Sequence, residues 1–136
     1  MTAITDQFMR EMMTRTKAYS AVILTKTAKR DAPDAGAVVW EHGRRNFALR
    51  AEGKLAIVCP VTDAGDVAGI GIFACSIEET RRIMDEDPGV RAGIFTYEVH
   101  AVRSFPGDSL PRVMAHRRCR PAFPGASRPG GPSCGS

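Results

Sequence analysis

Two apolar rhythms alternate along the chain, and the switches between them predict its elements. Ile4, Phe8, Met9, Met12 and Met13 recur at helical intervals, which predicts a short amphipathic helix over Ile4–Met13. The stretch AYSAVILTK, Ala18–Lys26, is dense in branched residues and predicts a strand. After the turn-rich AKRDAPDAG, helical spacing runs from about Ala37 to Glu52, and Gly53 supplies the stop. LAIVCPVTD, Leu55–Asp63, predicts a second strand, whose Pro60 favours an edge or a bulge. The turn AGD leads to a third, VAGIGIFAC, Val67–Cys75. Ser76 and Glu79 then form a capping box ahead of IEETRRIMDED, Pro88 stops that helix, and Gly89 turns the chain. In the last predicted strand, Gly93–Phe105, the side chains of Phe95, Tyr97, Val99 and Ala101 alternate onto one face.

The order β-α-β-β-α-β, with a hairpin between the central strands, is the split βαβ pattern of a ferredoxin-like α+β fold. Helices packed on one face of such an antiparallel sheet leave the other face uncovered. The residues that alternate onto that face include apolar ones, so a homodimer is expected. The chain divides into a helical segment at 1–16, an α+β domain at 17–105 and a Pro/Gly/Arg-rich extension at 106–136.

Charge changes the picture only at the end of the chain. The net charge is +4, but five of the nineteen basic residues lie from Arg112 onward together with none of the acids, which leaves the body at −1. A nucleic-acid footprint should sit on a folded basic face. Here the surplus sits in a stretch too poor in periodic apolar residues to order itself, and that stretch is expected to be disordered. Nucleic acid is therefore not an expected partner. No apolar run reaches the roughly 18 residues of a membrane span. The opening MTAITDQFMREMM lacks the basic and apolar regions of a signal peptide. A cytoplasmic location without membrane contact is expected. The four cysteines, at 59, 75, 119 and 134, form no closely spaced pair. No metal site is expected from them, and Cys59 and Cys75 read as small buried hydrophobes.

At HGRRNFALRAEGKLAIVCP, GIGIFACSIEETRRIMDEDPGVRAGIF and YEVHAV, the chain resembles the YCII-related (YciI-like) family. The shared features are a helix beginning near a histidine, a strand ending in glycine-proline, and a D-P step after the second helix. They correspond here to His42, Pro60 and Asp87-Pro88, with Cys59 in place of the glycine. The likeness covers about residues 17–104. It implies a dimeric α+β barrel and an enzyme that works on small molecules with a histidine–aspartate pair.

The residues themselves leave two readings open. Val39, His42, Asn46 and Leu49 share one helix face, so two polar groups interrupt an apolar stripe. Either His42 and Asn46 face a site, or His42 is only a satisfied, half-buried histidine or the buried face is instead Trp40, Phe47 and Ala51. Asp85, Glu86 and Asp87 crowd a predicted helix C-terminus, where the macrodipole disfavours acids. Asp85 and Glu86 read as solvated. Asp87 either hydrogen-bonds the turn after Pro88 or pairs with His42, and a carboxylate beside an imidazole fixes its tautomer and stabilises its cation. That pairing makes His42 and Asp87 the candidate catalytic pair for general acid–base chemistry of isomerase, lyase or dehalogenase type. Asn46, Pro60 and Asp63 are the candidate substrate-binding residues, although TDAGD is also an ordinary turn. Arg44, Arg45 and Arg50 read as the solvated side of the helix, and Thr96, Glu98 and His100 as a solvent-facing stripe. GIG at 69–71 lacks the context of a nucleotide fingerprint. No residue pattern calls for heme or flavin, so no cofactor is expected. The alternative is a dimeric ligand-binding or regulatory module whose pocket binds a small molecule without turnover.

Overall fold

A computed structural model of the chain describes residues 1–112. Four strands, β1 (Lys17–Lys26), β2 (Leu55–Pro60), β3 (Val67–Phe73) and β4 (Phe95–Ser104), form one sheet in the order β2-β3-β1-β4. Each neighbouring pair is antiparallel. With helix α2 (Ala35–Ala51) between β1 and β2, and α3 (Ile77–Asp85) between β3 and β4, this is the ferredoxin-like α+β fold. A 3-10 turn, Ala28–Asp31, leads into α2, and an isolated helix, α1 (Asp6–Met13), precedes β1 with no buried residue.

Strand periodicity decides where the core sits. Ser20, Val22 and Leu24 of β1 are buried, and their β3 partners in register are Phe73, Gly71 and Gly69. These positions share the helix-covered face, where Leu49 of α2, Leu55 of β2, Ile83 and Met84 of α3, and Phe95 of β4 complete the core. Each such side chain taken from water contributes about 1.5–3 kcal/mol. The intervening positions, among them Ala21, Ile23, Ile70 and Ile72, point to the uncovered face.

The helices end as their sequences direct. In α2, Gly53 takes φ +76°, its N–H donates to the Arg50 carbonyl, and Lys54 N–H donates to the Leu49 carbonyl. This is the Schellman closure that glycine permits without a Cβ clash. In α3, the Ser76 hydroxyl accepts from Glu79 N–H, as the capping motif requires.

Several boundaries differ from expectation. The second strand stops at Pro60 rather than Asp63, because Asp63 leaves the ladder to cap a turn, its Oδ1 accepting from Gly65 N–H at 3.0 Å. The third stops at Phe73 rather than Cys75, since Ser76 already acts as the α3 N-cap. Pro88 starts a helical turn instead of a plain reversal, giving α4 (Pro88–Arg91). The cysteines are not buried as expected. Cys59 lies exposed on the edge strand β2, and Cys75 is half-buried where β3 ends. The expected tail is described only to Arg112, and residues 106–112 are exposed. The remainder, with Cys119 and Cys134, lies outside the described residues. Among the described residues no helix is long and apolar enough to cross a membrane.

Candidate functional site

The face of α2 that turns inward is the one carrying His42. Leu49 is buried and Val39 packs on the core, whereas Trp40 and Phe47 are 72% and 63% exposed. His42 therefore enters the interior, with 13% of its side chain accessible. Its ring meets Phe95 at 5.1 Å between centroids, inclined by 55°.

Asp87 reaches the same place through local helix chemistry. It stands one residue past Glu86, the C-cap of α3, and is itself the N-cap of α4. Its Oδ2 accepts from Gly89 N–H at 2.9 Å and Val90 N–H at 3.2 Å. Pro88 at the first helical position costs nothing, because that N–H would have no intrahelical partner. An acid disfavoured at the end of one helix is thus favoured at the start of the next. Gly89 keeps α4 tight against the core, since a Cβ there would come within 2.5 Å of the Phe95 ring.

With Oδ2 occupied by backbone donors, Asp87 turns Oδ1 to His42. The Nδ1 to Oδ1 distance is 2.7 Å, and Asp87 is only 1% exposed. A carboxylate accepts, so Nδ1 donates, and neutral His42 then carries its lone pair on Nε2. Asn46, one turn along α2, brings its Nδ2 to 3.2 Å from that nitrogen. An amide can present N–H to an unprotonated Nε2, or turn over and present its carbonyl to a protonated one. His42 thus has a bonding partner for either protonation state.

Arg45 does not lie on the solvated side of the helix, as expected, but is half-buried. It donates to the Ile83 carbonyl at 2.7 Å and sits 3.8 Å from Glu86 and 3.9 Å from Asp87. A cation from α2 therefore meets the C-terminal end of α3, where local acids leave the dipole uncompensated. Asp85 is also engaged: the Tyr97 hydroxyl of β4 donates to it at 2.5 Å. Burial, and then the Asp85 carboxylate, push the Tyr97 pKa up to about 12.

His42 and Asn46 border a pocket of about 360 Å³ between α2 and the sheet. Its walls include Val22, Val39, Val58, Met84 and Phe95, and Pro60 stands at its β2 side. Gly69 and Gly71, two residues apart on β3, put no side chain into this space. That is the physical meaning of GIG, and its period-two spacing within a strand could have been read as a gap in the core. Asp63 is not brought to the pocket. Glu98 and His100 lie 3.0 Å apart, both exposed, on the sheet face away from it. Lys26 and Arg30 also line the pocket, and the sequence pattern alone gave no signal for them. Among the described residues no three His, Cys, Asp or Glu groups cluster as metal ligands.

No family model matches the chain, and no curated protein matches it. Among solved structures it is similar to 5-chloro-2-hydroxyhydroquinone dehydrochlorinase (TftG) from Burkholderia phenoliruptrix, in complex with 2,5-dihydroxybenzoquinone. The TM-score is 0.45 and the identity 17%, over 60% of this chain and 90% of that one. The fold assignment itself rests on the strand order and the antiparallel pairing.

Proposed function

We propose that this chain is a YCII-like small-molecule enzyme in which His42 moves a proton and Asp87 positions it. The observation that carries the reading is the 2.7 Å contact between His42 Nδ1 and a buried carboxylate, beside an apolar pocket. With Nδ1–H held by Asp87, the Nε2 lone pair accepts a proton from a substrate carbon or hydroxyl once the Asn46 amide that donates to it has turned aside. The proton then rests on Nε2, with the charge of the imidazolium balanced by Asp87. Returning it to a different atom isomerises the substrate; losing a leaving group from the neighbouring carbon eliminates or dehalogenates it. Asn46 is the proposed partner of Nε2 through this cycle, and Pro60 a wall of the binding space.

The apolar face of the sheet supports a homodimer as the working form. Ala21, Ile23, Ile70 and Ile72 form a contiguous patch across β1 and β3, opposite the helices. A second copy seated face to face would bury it.

Solvent-deuterium wash-in tests the catalytic reading without knowledge of the natural reaction. A panel of small carbon acids is incubated in deuterated buffer with the protein, and exchange is followed by NMR. Wild type is expected to speed exchange of at least one member. His42→Ala should lose about 10²- to 10⁴-fold of that rate, the range of general acid–base catalysis. Exchange unaffected by His42→Ala would contradict the proposal. Binding of panel members without any exchange would instead favour the module that binds without turnover.

A further inference from the structure

The charged groups in the pocket wall are of one sign. Lys26 and Arg30 line it, and no aspartate or glutamate does. Lys26 ends β1 on the helix-covered face, in register with Phe95, and Arg30 projects from the 3-10 turn that leads into α2. Both are half-buried. Neither joins any of the ion pairs formed among the described residues, although Arg44, Arg45 and Lys54 all do. The one buried acid nearby, Asp87, is turned away from the cavity and taken up by His42 and two backbone N–H groups. Two half-buried cations without acids in a largely apolar cavity hold a positive potential there, and low-dielectric walls concentrate it. An apolar wall with a few convergent polar groups is the ordinary form of a small-ligand site.

From this we infer that the pocket selects a small organic anion, a carboxylate with an unsaturated or aromatic body, whose charge Lys26 and Arg30 bind. The body lies on the bare backbone at Gly69, against Val22, Val58 and Phe95, beside Gly71, which Leu55 and Phe73 cover. Gly69 has room for this, because a Cβ there would meet nothing nearer than the Cys59 carbonyl at 3.4 Å. Arg30 suits the planar, two-oxygen geometry of a carboxylate, and Lys26 adds a point charge. The inference deepens the proposed function by naming its substrate class, and its binding step needs no turnover.

The test compares charged and neutral probes of one shape. Benzoate and sorbate are titrated against benzamide and sorbamide at millimolar concentration, with amide NMR shifts as the readout. Each acid is expected to bind at least about tenfold more tightly than its amide, and to shift Gly69, Gly71 and His42. Lys26→Met and Arg30→Met, which keep most of the apolar stem, should each remove about tenfold of acid binding and leave amide binding unchanged. Equal binding of acids and amides by wild type would overturn the inference, as would absence of binding by both acids. Acid binding that ignores both substitutions would do the same. If these results fail while wash-in still depends on His42, only the substrate class falls. Should acids bind as stated while wash-in ignores His42, the substrate class stands and the acid–base role falls.

Discussion

At the scale of single residues, Asp87 carries the most. It accepts from His42, Gly89 and Val90 while almost fully buried. Asp87→Ala strands three donors at once, and the expected cost is about 2–4 kcal/mol in chemical denaturation. Asp87→Asn keeps one acceptor and the shape of the side chain, so it should cost less and report on His42 instead. Thr80 has the opposite character: it is fully buried, and its hydroxyl has no hydrogen-bond partner among the described residues. Thr80→Val retains the shape and removes the unpaired group, so a gain of about 1 kcal/mol is expected in the same assay. A clear loss would mean that the hydroxyl has a partner in solution. Residue identity made His42 and Asp87 candidates, because few side chains titrate near neutral pH or pair with one that does. Their pairing was one of two open readings of Asp87, and spacing could not decide it, since 45 positions separate them and the packing of α2 on α4 brings them together.

At the scale of elements, periodicity told most. The two sheet-covering helices and all four strands could be placed because apolar spacing changes from helical to alternate. What escaped was short or set by tertiary contact. The four-residue α4 is too brief for a periodic signal, and Asp87 looked like a helix end when it is also a helix start. Arg45 looked solvated because helix spacing alone cannot show that the end of α3 lies within its reach. The α3 to β4 link gives a pH prediction. Tyr97, raised to about 12 from an ordinary value of 10.0, keeps its proton more firmly when folded. Its contribution is complete below about pH 10 and is lost as pH rises toward about 12. Phenolate absorbance should show the late titration in wild type. Asp85→Ala should bring it down, and no change in that variant would contradict the link.

At the scale of the molecule, the fold class followed from element order, because few topologies join β-α-β-β-α-β with short connections. The pocket did not follow. Its floor depends on two β3 glycines that face α2, and its cations are charged side chains at the end of β1 and in the 3-10 turn, which apolar spacing does not mark. The uncovered sheet face was legible as alternation, and it gives the assembly prediction. Ile72→Glu places a charge at the centre of the apolar patch, so it should weaken self-association at least tenfold in sedimentation experiments. Its effect on folding should be small, because Ile72 points away from the core. A wild-type chain that stays monomeric at high concentration would contradict the face-to-face dimer.

Proton transfer at His42 requires Asp87 to hold it with its proton on Nδ1 and its lone pair on Nε2. Long-range proton–nitrogen correlation NMR of the histidine rings reads this directly, and the 112 described residues hold only one other histidine, the exposed His100. His42 is expected as the Nδ1–H tautomer in wild type, and as a mixed population in Asp87→Asn. An Nε2–H tautomer in wild type, or the same spectrum in both proteins, would contradict the role proposed for His42.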